Sequence, residues 1–216
     1  MQSHVLRYKS LGPFYRLLNR IIEKSPLPPW VTVRTKYGKL IVPKSFRVLT
    51  YTLDLVEPEV KSIFESKVKK ANYFIDIGAG CDGWYTIKAL RLNPKIKAIA
   101  FEPDLAAYHV LRANLAKNNL EAIALNIALS DENLGSKCRR LDDVLTELGV
   151  KLSSNDVIKI DVEGSALKVL AGASKSLEKA PCIIVELHPG EEELTSYLKR
   201  YPLEVSQVSK YFVVAC

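Results

Sequence analysis

The 216-residue chain has no apolar run near the ~18 residues that a membrane-spanning helix needs. Its start, Met1-Gln2-Ser3-His4, leads into no uninterrupted apolar segment of the kind found in secretion signals. The four cysteines, Cys81, Cys138, Cys182 and Cys216, lack metal-type spacing, so reduced thiols in a cytoplasmic protein are expected. Apolar residues at 48% and charged residues at 25% suit one soluble domain with a large core. The net charge of +7 is uneven: residues 1–70 hold 14 Lys/Arg against five acids, and the remainder holds 17 against 19. The basic excess therefore belongs to the first third of the chain.

What the sequence does contain is a stretch from Tyr73 to Pro103 that reads strand, glycine loop, helix, strand, acid. Tyr73-Phe74-Ile75-Asp76-Ile77 is a short apolar strand closed by Gly78-Ala79-Gly80-Cys81-Asp82-Gly83. A helix should start near Trp84 and carry Ile87, Leu90 and Leu92 inward. The next strand, Lys97-Ala98-Ile99-Ala100-Phe101, stops at Glu102-Pro103. Glycines let the backbone approach a ligand closely, and a helix start offers N–H groups to it. A carboxylate at the end of the next strand can accept a pair of ribose hydroxyls.

Gly78-x-Gly80-x-x-Gly83 also matches the dinucleotide fingerprint, with an acid about 20 residues further on. Asp76 argues against a dinucleotide, because it stands at the strand's lip, where a pyrophosphate would lie. S-adenosylmethionine has no phosphate and brings an ammonium and a sulfonium, both of which favour a nearby acid. The expected cofactor is S-adenosylmethionine, held by Asp76, Gly78, Ala79, Gly80, Glu102 and Pro103. Ala128, in the loop after the third strand, is expected against the adenine.

Along the chain, residues 11–22 read as an amphipathic helix, with Phe14, Leu17, Leu18, Ile21 and Ile22 on one side amid basic residues. Its expected role is packing; peripheral contact with an anionic membrane, or a grip on RNA, are the alternatives. A hairpin is expected around Lys36-Tyr37-Gly38 and a helix over 59–70. The expected organisation is a basic helix and Pro-rich link over 1–30, a cap over 31–70, and a cofactor-binding catalytic domain over 71–216. In that domain, helices are expected over 104–117, 141–148, 166–171 and 191–200, and strands over 121–125, 156–161 and 181–187. Residues 131–140 look irregular, and strands over 203–208 and 211–215 close the chain. The alternation describes an α/β sheet with helices on both faces. Right-handed crossovers bring Asp76, Glu102, Asp161 and His188 to one edge.

Asp76-Ile77-Gly78-Ala79-Gly80, Phe101-Glu102-Pro103, Leu141-Asp142-Asp143-Val144-Leu145, Ile158-Lys159-Ile160-Asp161-Val162-Glu163-Gly164 and Ile184-Val185-Glu186-Leu187-His188 together resemble the FkbM-type methyltransferases. The resemblance covers roughly residues 31–216, and the I-K-I-D-V-E-G run is its most specific part. It implies a Rossmann-like class I methyltransferase fold: a doubly wound, seven-stranded, mostly parallel sheet with an antiparallel last strand. It also implies S-adenosylmethionine as donor and hydroxyl groups of sugars and polyketides as acceptors. The chain departs from the family pattern in having Gly80 where an asparagine is usual, and a glycine loop one residue longer.

Transfer to a hydroxyl needs alignment of oxygen, methyl and sulfur, and removal of a proton. His188 and Asp161 are the catalytic candidates, His188 for the pKa of its side-chain type. Glu163 and Glu186 are expected near substrate or paired with Lys159, and Lys159 shares a strand face with Asp161 as an ion pair. No metal is expected, although Asp161 with His188 or Glu186 offers suitable ligands. The function expected is O-methylation of a hydroxyl on a sugar, glycan or small metabolite. RNA methylation using the basic N-terminal region is the alternative, although no aromatic–basic RNA-binding motif is present; a binding protein without turnover is the third reading. DNA is not an expected partner.

Overall fold

The computed structural model describes residues 20–216 except 23, 27 and 46. The helix expected over 11–22 lies outside the described residues except for 20–22, which are helical. Two compact units are formed, Met1–Glu57 and Pro58–Cys216. In the first, β1 (Trp30–Thr35) and β2 (Gly38–Pro43) pair antiparallel, with Thr35 opposite Gly38. Thr35 Oγ1 closes that hairpin turn, donating to Gly38 O at 3.0 Å and accepting from Tyr37 N–H at 3.1 Å. A short helix, α1 (Arg47–Thr52), follows.

The second unit begins with α2 (Pro58–Val68), whose Val60, Phe64 and Val68 are buried at helical spacing. Phe64 meets Phe74 and Tyr85 edge to face at 5.3 and 4.7 Å. This helix is thus a layer of the sheet unit, whereas the sequence reading grouped it with the hairpin. The chain continues through β3 (Tyr73–Ile77), α3 (Trp84–Leu92), β4 (Lys97–Phe101), α4 (Leu105–Lys117) and β5 (Ile123–Leu125). Next come β6 (Ala128–Leu129), β7 (Cys138–Arg139), α5 (Leu141–Glu147), β8 (Val157–Ile160), α6 (Ala166–Ala171) and α7 (Ser174–Leu177). The last elements are β9 (Cys182–Glu186), α8 (Leu194–Leu198), β10 (Val205–Ser209) and β11 (Phe212–Ala215).

Seven strands form one sheet in the order β10-β11-β9-β8-β3-β4-β5. Strands β8, β3, β4 and β5 run parallel with β9, and β11 is antiparallel to both β9 and β10. This is the Rossmann-like α/β arrangement expected. The chain moves outward from β3 through β4 to β5, then returns to β8 on the other side of β3. That reversal makes the C-terminal edge beside β3 the topological switch point, the place where sheets of this kind bind ligands. Ile75, Ile77, Ile99, Phe101, Ile158 and Ile160 pack with Leu141, Val144, Val169 and Leu170 in one core. Burial of each such side chain stabilises by about 1.5–3 kcal/mol.

Two buried acids hold the frame. Asp156 accepts from the backbone N–H groups of Asn72, Tyr73 and Ser153 and from Ser153 Oγ. Asp142 accepts from Lys175 N–H, Ser176 N–H and Ser176 Oγ, which fixes the start of α7. Residues 131–140 are not wholly irregular, since Cys138–Arg139 pairs parallel with Ala128–Leu129.

The reduced state expected for all four cysteines does not hold: Cys182 and Cys216 are joined in a disulfide, with Cα atoms 4.1 Å apart. The β9–β11 register runs from Phe212 opposite Glu186 to Ala215 opposite Ile183, so Cys216 arrives opposite Cys182. Cys81 and Cys138 are free thiols.

Candidate active site

The end of β3 turns through Gly78, whose φ is 79°. The N–H groups of Gly78 and Ala79 both donate to Phe101 O at 3.0 Å, which folds the loop across the end of β4. A Cβ on Gly78 would stand 2.0 Å from the Asp161 carbonyl oxygen, so only glycine lets β3 and β8 meet there. Gly80, with φ 67°, has no atom within 4 Å of a Cβ position, so its outer side is open. Asp82 Oδ1 accepts from Trp84 N–H at 3.0 Å and closes the first turn of α3. From α4, the fully buried Asn114 donates to Cys81 O at 3.1 Å and holds the loop from behind.

Glu102 stands beside this loop. Its Oε2 accepts from Gly80 N–H at 2.8 Å and its Oε1 from Asp104 N–H at 2.9 Å. Burial pushes the Glu102 pKa up, and these two N–H groups oppose the rise. A carboxylate has about four acceptor positions, so about two are left for a pair of hydroxyls. Asn126 Nδ2 donates to the carbonyls of Glu102 and Pro103 at 2.9 Å each, tying the end of β5 to the same corner. Pro103 is exposed, and Ala128 is half-buried in β6. An open glycine beside a carboxylate with acceptor capacity in reserve fits the ribose of an adenosyl group.

Asp76, expected to help hold the cofactor, is deeply buried at the end of β3. It is 2% exposed and lies beneath the loop, where Thr86 Oγ1 donates to its Oδ2 at 2.5 Å. β3 is an inner strand, flanked by β8 and β4 and buried from Phe74 to Ile77, and its register sets Asp76 beside Lys159 of β8. Desolvation raises the Asp76 pKa to about 6, against the opposing pull of Lys159 and Thr86.

The other candidates meet at the ends of β8 and β9. Ile160 pairs with Val185, so Asp161 and Glu186 follow as neighbours, and His188 lies two residues on, on the same side. Asp161, Glu186 and His188 each offer a ligand-type atom, all within 4.8 Å of one another. His188 is 8% exposed, and its Nε2 has no hydrogen-bond partner among the described residues; Asp161 Oδ1 is 3.5 Å away. The ion pair expected between Lys159 and Asp161 is present, Nζ to Oδ2 at 3.3 Å. Lys159 is 2% exposed and its ammonium sits 4.5 Å from the centre of the Tyr85 ring, a cation–π contact. Glu163, by contrast, is exposed on the turn before α6. Sequence reasoning missed Thr86, Asn114, Tyr85 and Glu191; of these, only Glu191 left a sequence signal, in the turn-forming run His188-Pro189-Gly190-Glu191.

Residues 76–205, or 130 of the 216, match the family described as Methyltransferase FkbM domain. No curated protein matches the chain. Among solved structures, a METTL16 MTase domain (crystal form 2) is 18% identical with a TM-score of 0.55, covering 97% of this chain and 93% of that one. A T. Thermophilus 16S rRNA N2 G1207 methyltransferase (RsmC), solved with AdoMet and guanosine, is 16% identical with a TM-score of 0.54. That match covers 89% of this chain and 52% of the other, about half its length. The SAM-dependent methyltransferase from Agrobacterium tumefaciens is 10% identical with a TM-score of 0.55, covering 89% of this chain and 71% of that one. These likenesses are likenesses of fold.

Proposed function

The chain belongs to the FkbM methyltransferase family, and from that premise we propose that it methylates a hydroxyl group of a sugar, glycan or small metabolite. It is an S-adenosylmethionine-dependent methyltransferase; the proposal concerns the acceptor and the residues that serve it. The observation that carries the reading is the Asp161–His188 pair at the strand edge, 3.5 Å apart, beside the glycine loop.

In this reading Gly78, Ala79 and Gly80 form the cradle, Glu102 takes the ribose hydroxyls, and Pro103 and Ala128 border the adenine. Asp76 acts from below the loop, as a buried negative charge rather than a contact. When bound, S-adenosylmethionine supplies a methyl group activated by its sulfonium. His188 takes the proton of the acceptor hydroxyl as the oxygen attacks. With Nε2 turned to Asp161, Nδ1 is the nitrogen left for that proton. Asp161 fixes the ring and stabilises the imidazolium, and Lys159 holds Asp161 in place from the other side.

The reaction is read as metal-free. A dication bound by Asp161, Glu186 and His188 would sit next to the Lys159 ammonium, which already supplies positive charge to Asp161 at 3.3 Å. Exhaustive dialysis against a chelator should leave transfer unchanged.

The test is a transfer screen with labelled S-adenosylmethionine over sugar, lipid and tRNA fractions, repeated with His188→Ala. Label in a sugar or small-metabolite fraction, falling by ~100-fold or more in the variant, is the expected result. Label confined to tRNA would favour the RNA reading, which draws on the basic residues 1–70. Undiminished transfer by His188→Ala would overturn the base assignment. Donor binding with no transfer to any fraction would point to a binding protein instead.

A further inference from the structure

We propose that Glu191 is a positioning residue for the transfer centre, locking His188 to the β8–α6 loop; the inference rests on the reading of His188 and Asp161 given above. Glu191 is 5% exposed, and each of its carboxylate oxygens accepts from a different backbone segment. Oε2 accepts from His188 N–H at 2.9 Å, and Oε1 accepts from Ala166 N–H at 3.1 Å. The first segment carries His188; the second closes the Asp161-to-Ser165 turn onto α6. One side chain thereby fixes the spacing of the two loops from which the facing pair projects.

The local sequence explains why Glu191 can reach back. His188 O accepts from Glu191 N–H at 3.2 Å, which makes His188-Pro189-Gly190-Glu191 a hydrogen-bonded β-turn. Proline second and a glycine third, here with φ 90°, are the residues such a turn requires. Glu191 then grips His188 from both sides, its own N–H on the carbonyl and its carboxylate on the N–H. Leu194 N–H donates to Glu191 O at 3.2 Å, and Leu194 is fully buried, so the turn is anchored to the core.

The arrangement fixes the backbone of His188 without touching its ring. The ring orientation against Asp161 follows from the fixed backbone, since Nε2 has no hydrogen bond among the described residues to hold it. In a site where the base must meet the acceptor within hydrogen-bond reach, a displacement of about 1 Å costs on the order of 100-fold. Glu191→Gln keeps the size but presents one acceptor oxygen, so one of the two backbone bonds must be lost.

The experiment compares wild type and Glu191→Gln by amide hydrogen exchange and by the imidazole nitrogen signals of His188, assigned through His188→Ala. S-adenosylmethionine affinity by calorimetry is the control, since both Glu191 carboxylate bonds go to His188 and Ala166 and neither to the glycine loop. Expected are exchange at His188 or Ala166 faster by about 10-fold or more, a shifted His188 ring signal, and donor affinity within about twofold. Glu191→Asp, which keeps the charge but not the reach, should behave like the glutamine variant. Unchanged exchange and ring signals in both variants would overturn the proposal, as would equal loss of donor binding, which would mark a general structural role. With the acceptor fraction that takes label, Glu191→Gln should cost nothing further in a His188→Ala background. Transfer abolished by His188→Ala but untouched by Glu191→Gln would leave the base assignment standing and sink the clamp alone.

Discussion

Replacing Asp76 with asparagine should stabilise the folded protein at neutral pH. Its carboxylate is buried at 2% exposure, and desolvation lifts its pKa from 3.8 to about 6. An acid whose pKa is raised on folding holds more protons in the native state than in the unfolded chain between those two values. Stability from this group is therefore fully present below about pH 4 and is lost as pH rises through about 6. At about 1.4 kcal/mol per unit, a shift of roughly two units amounts to about 3 kcal/mol carried as a penalty at pH 7 and above. Asparagine resembles the protonated acid and can still accept from Thr86 Oγ1. Urea unfolding of wild type and Asp76→Asn at intervals from pH 4 to 8 should give curves that converge at the acid end and separate by up to about 3 kcal/mol at pH 8. Taking the difference removes every pH effect common to both proteins. A variant less stable than wild type at pH 8, or a difference that does not change with pH, would refute the reasoning. A charge kept at such a cost points to function, and donor affinity in the variant should fall while stability rises.

The glycine loop gives a contrasting pair. Gly78→Ala drives a Cβ to 2.0 Å from the Asp161 carbonyl at a positive φ, and should lose more than about 3 kcal/mol in thermal or urea unfolding. Gly80→Ala meets nothing within 4 Å, so it should cost only about 1 kcal/mol of stability yet weaken donor binding by about 10-fold or more in calorimetry. Glu102→Gln keeps an acceptor for one of the two N–H groups but loses the charge; S-adenosylmethionine should bind about 10- to 100-fold more weakly with the melting curve little changed. Thiol titration of the native, non-reduced protein should find Cys81 and Cys138 alone, and reducing the Cys182–Cys216 bond, which closes a sequence separation of 34, should lower stability by up to about 4 kcal/mol.

The parts of the fold read correctly from sequence are those written in local periodicity. α6 spans the residues expected, and the Asp104 cap of α4 accepts from Ala107 N–H at 2.7 Å. β5 shrank to Ile123–Leu125 because it is an edge strand with one neighbour, so pairing, not hydrophobicity, sets its length. What sequence did not reveal depends on partners distant along the chain. α7 starts where Asp142, over 30 residues earlier, accepts its N–H groups. The disulfide depends on the β9–β11 register, which no cysteine spacing encodes. The motif sets Asp76 at the lip of its strand; its burial follows from β3 lying between β8 and β4, a fact of topology.

The site's acids are distinguished from the frame's acids by what their oxygens already hold. Asp76, Glu102, Asp142, Asp156 and Glu191 are all buried, so burial alone cannot rank them. Asp142 takes three donors and Asp156 four, near the ~four acceptor positions a carboxylate possesses, and neither has capacity for a ligand. Glu102 takes two N–H groups, one of them from the open glycine, and keeps about half its capacity where an adenosyl group would lie. Glu191 also takes two, both from loops carrying the proposed transfer pair. Asp161 is different in kind: among its partners are a lysine ammonium and a histidine ring. Only where an acid's partners are charged side chains, rather than backbone already fixed by the fold, does its geometry have something to transmit to a substrate. By that criterion the proposed chemistry rests on Asp161 with His188, and the loss of transfer on replacing either should exceed that of any other acid at this edge.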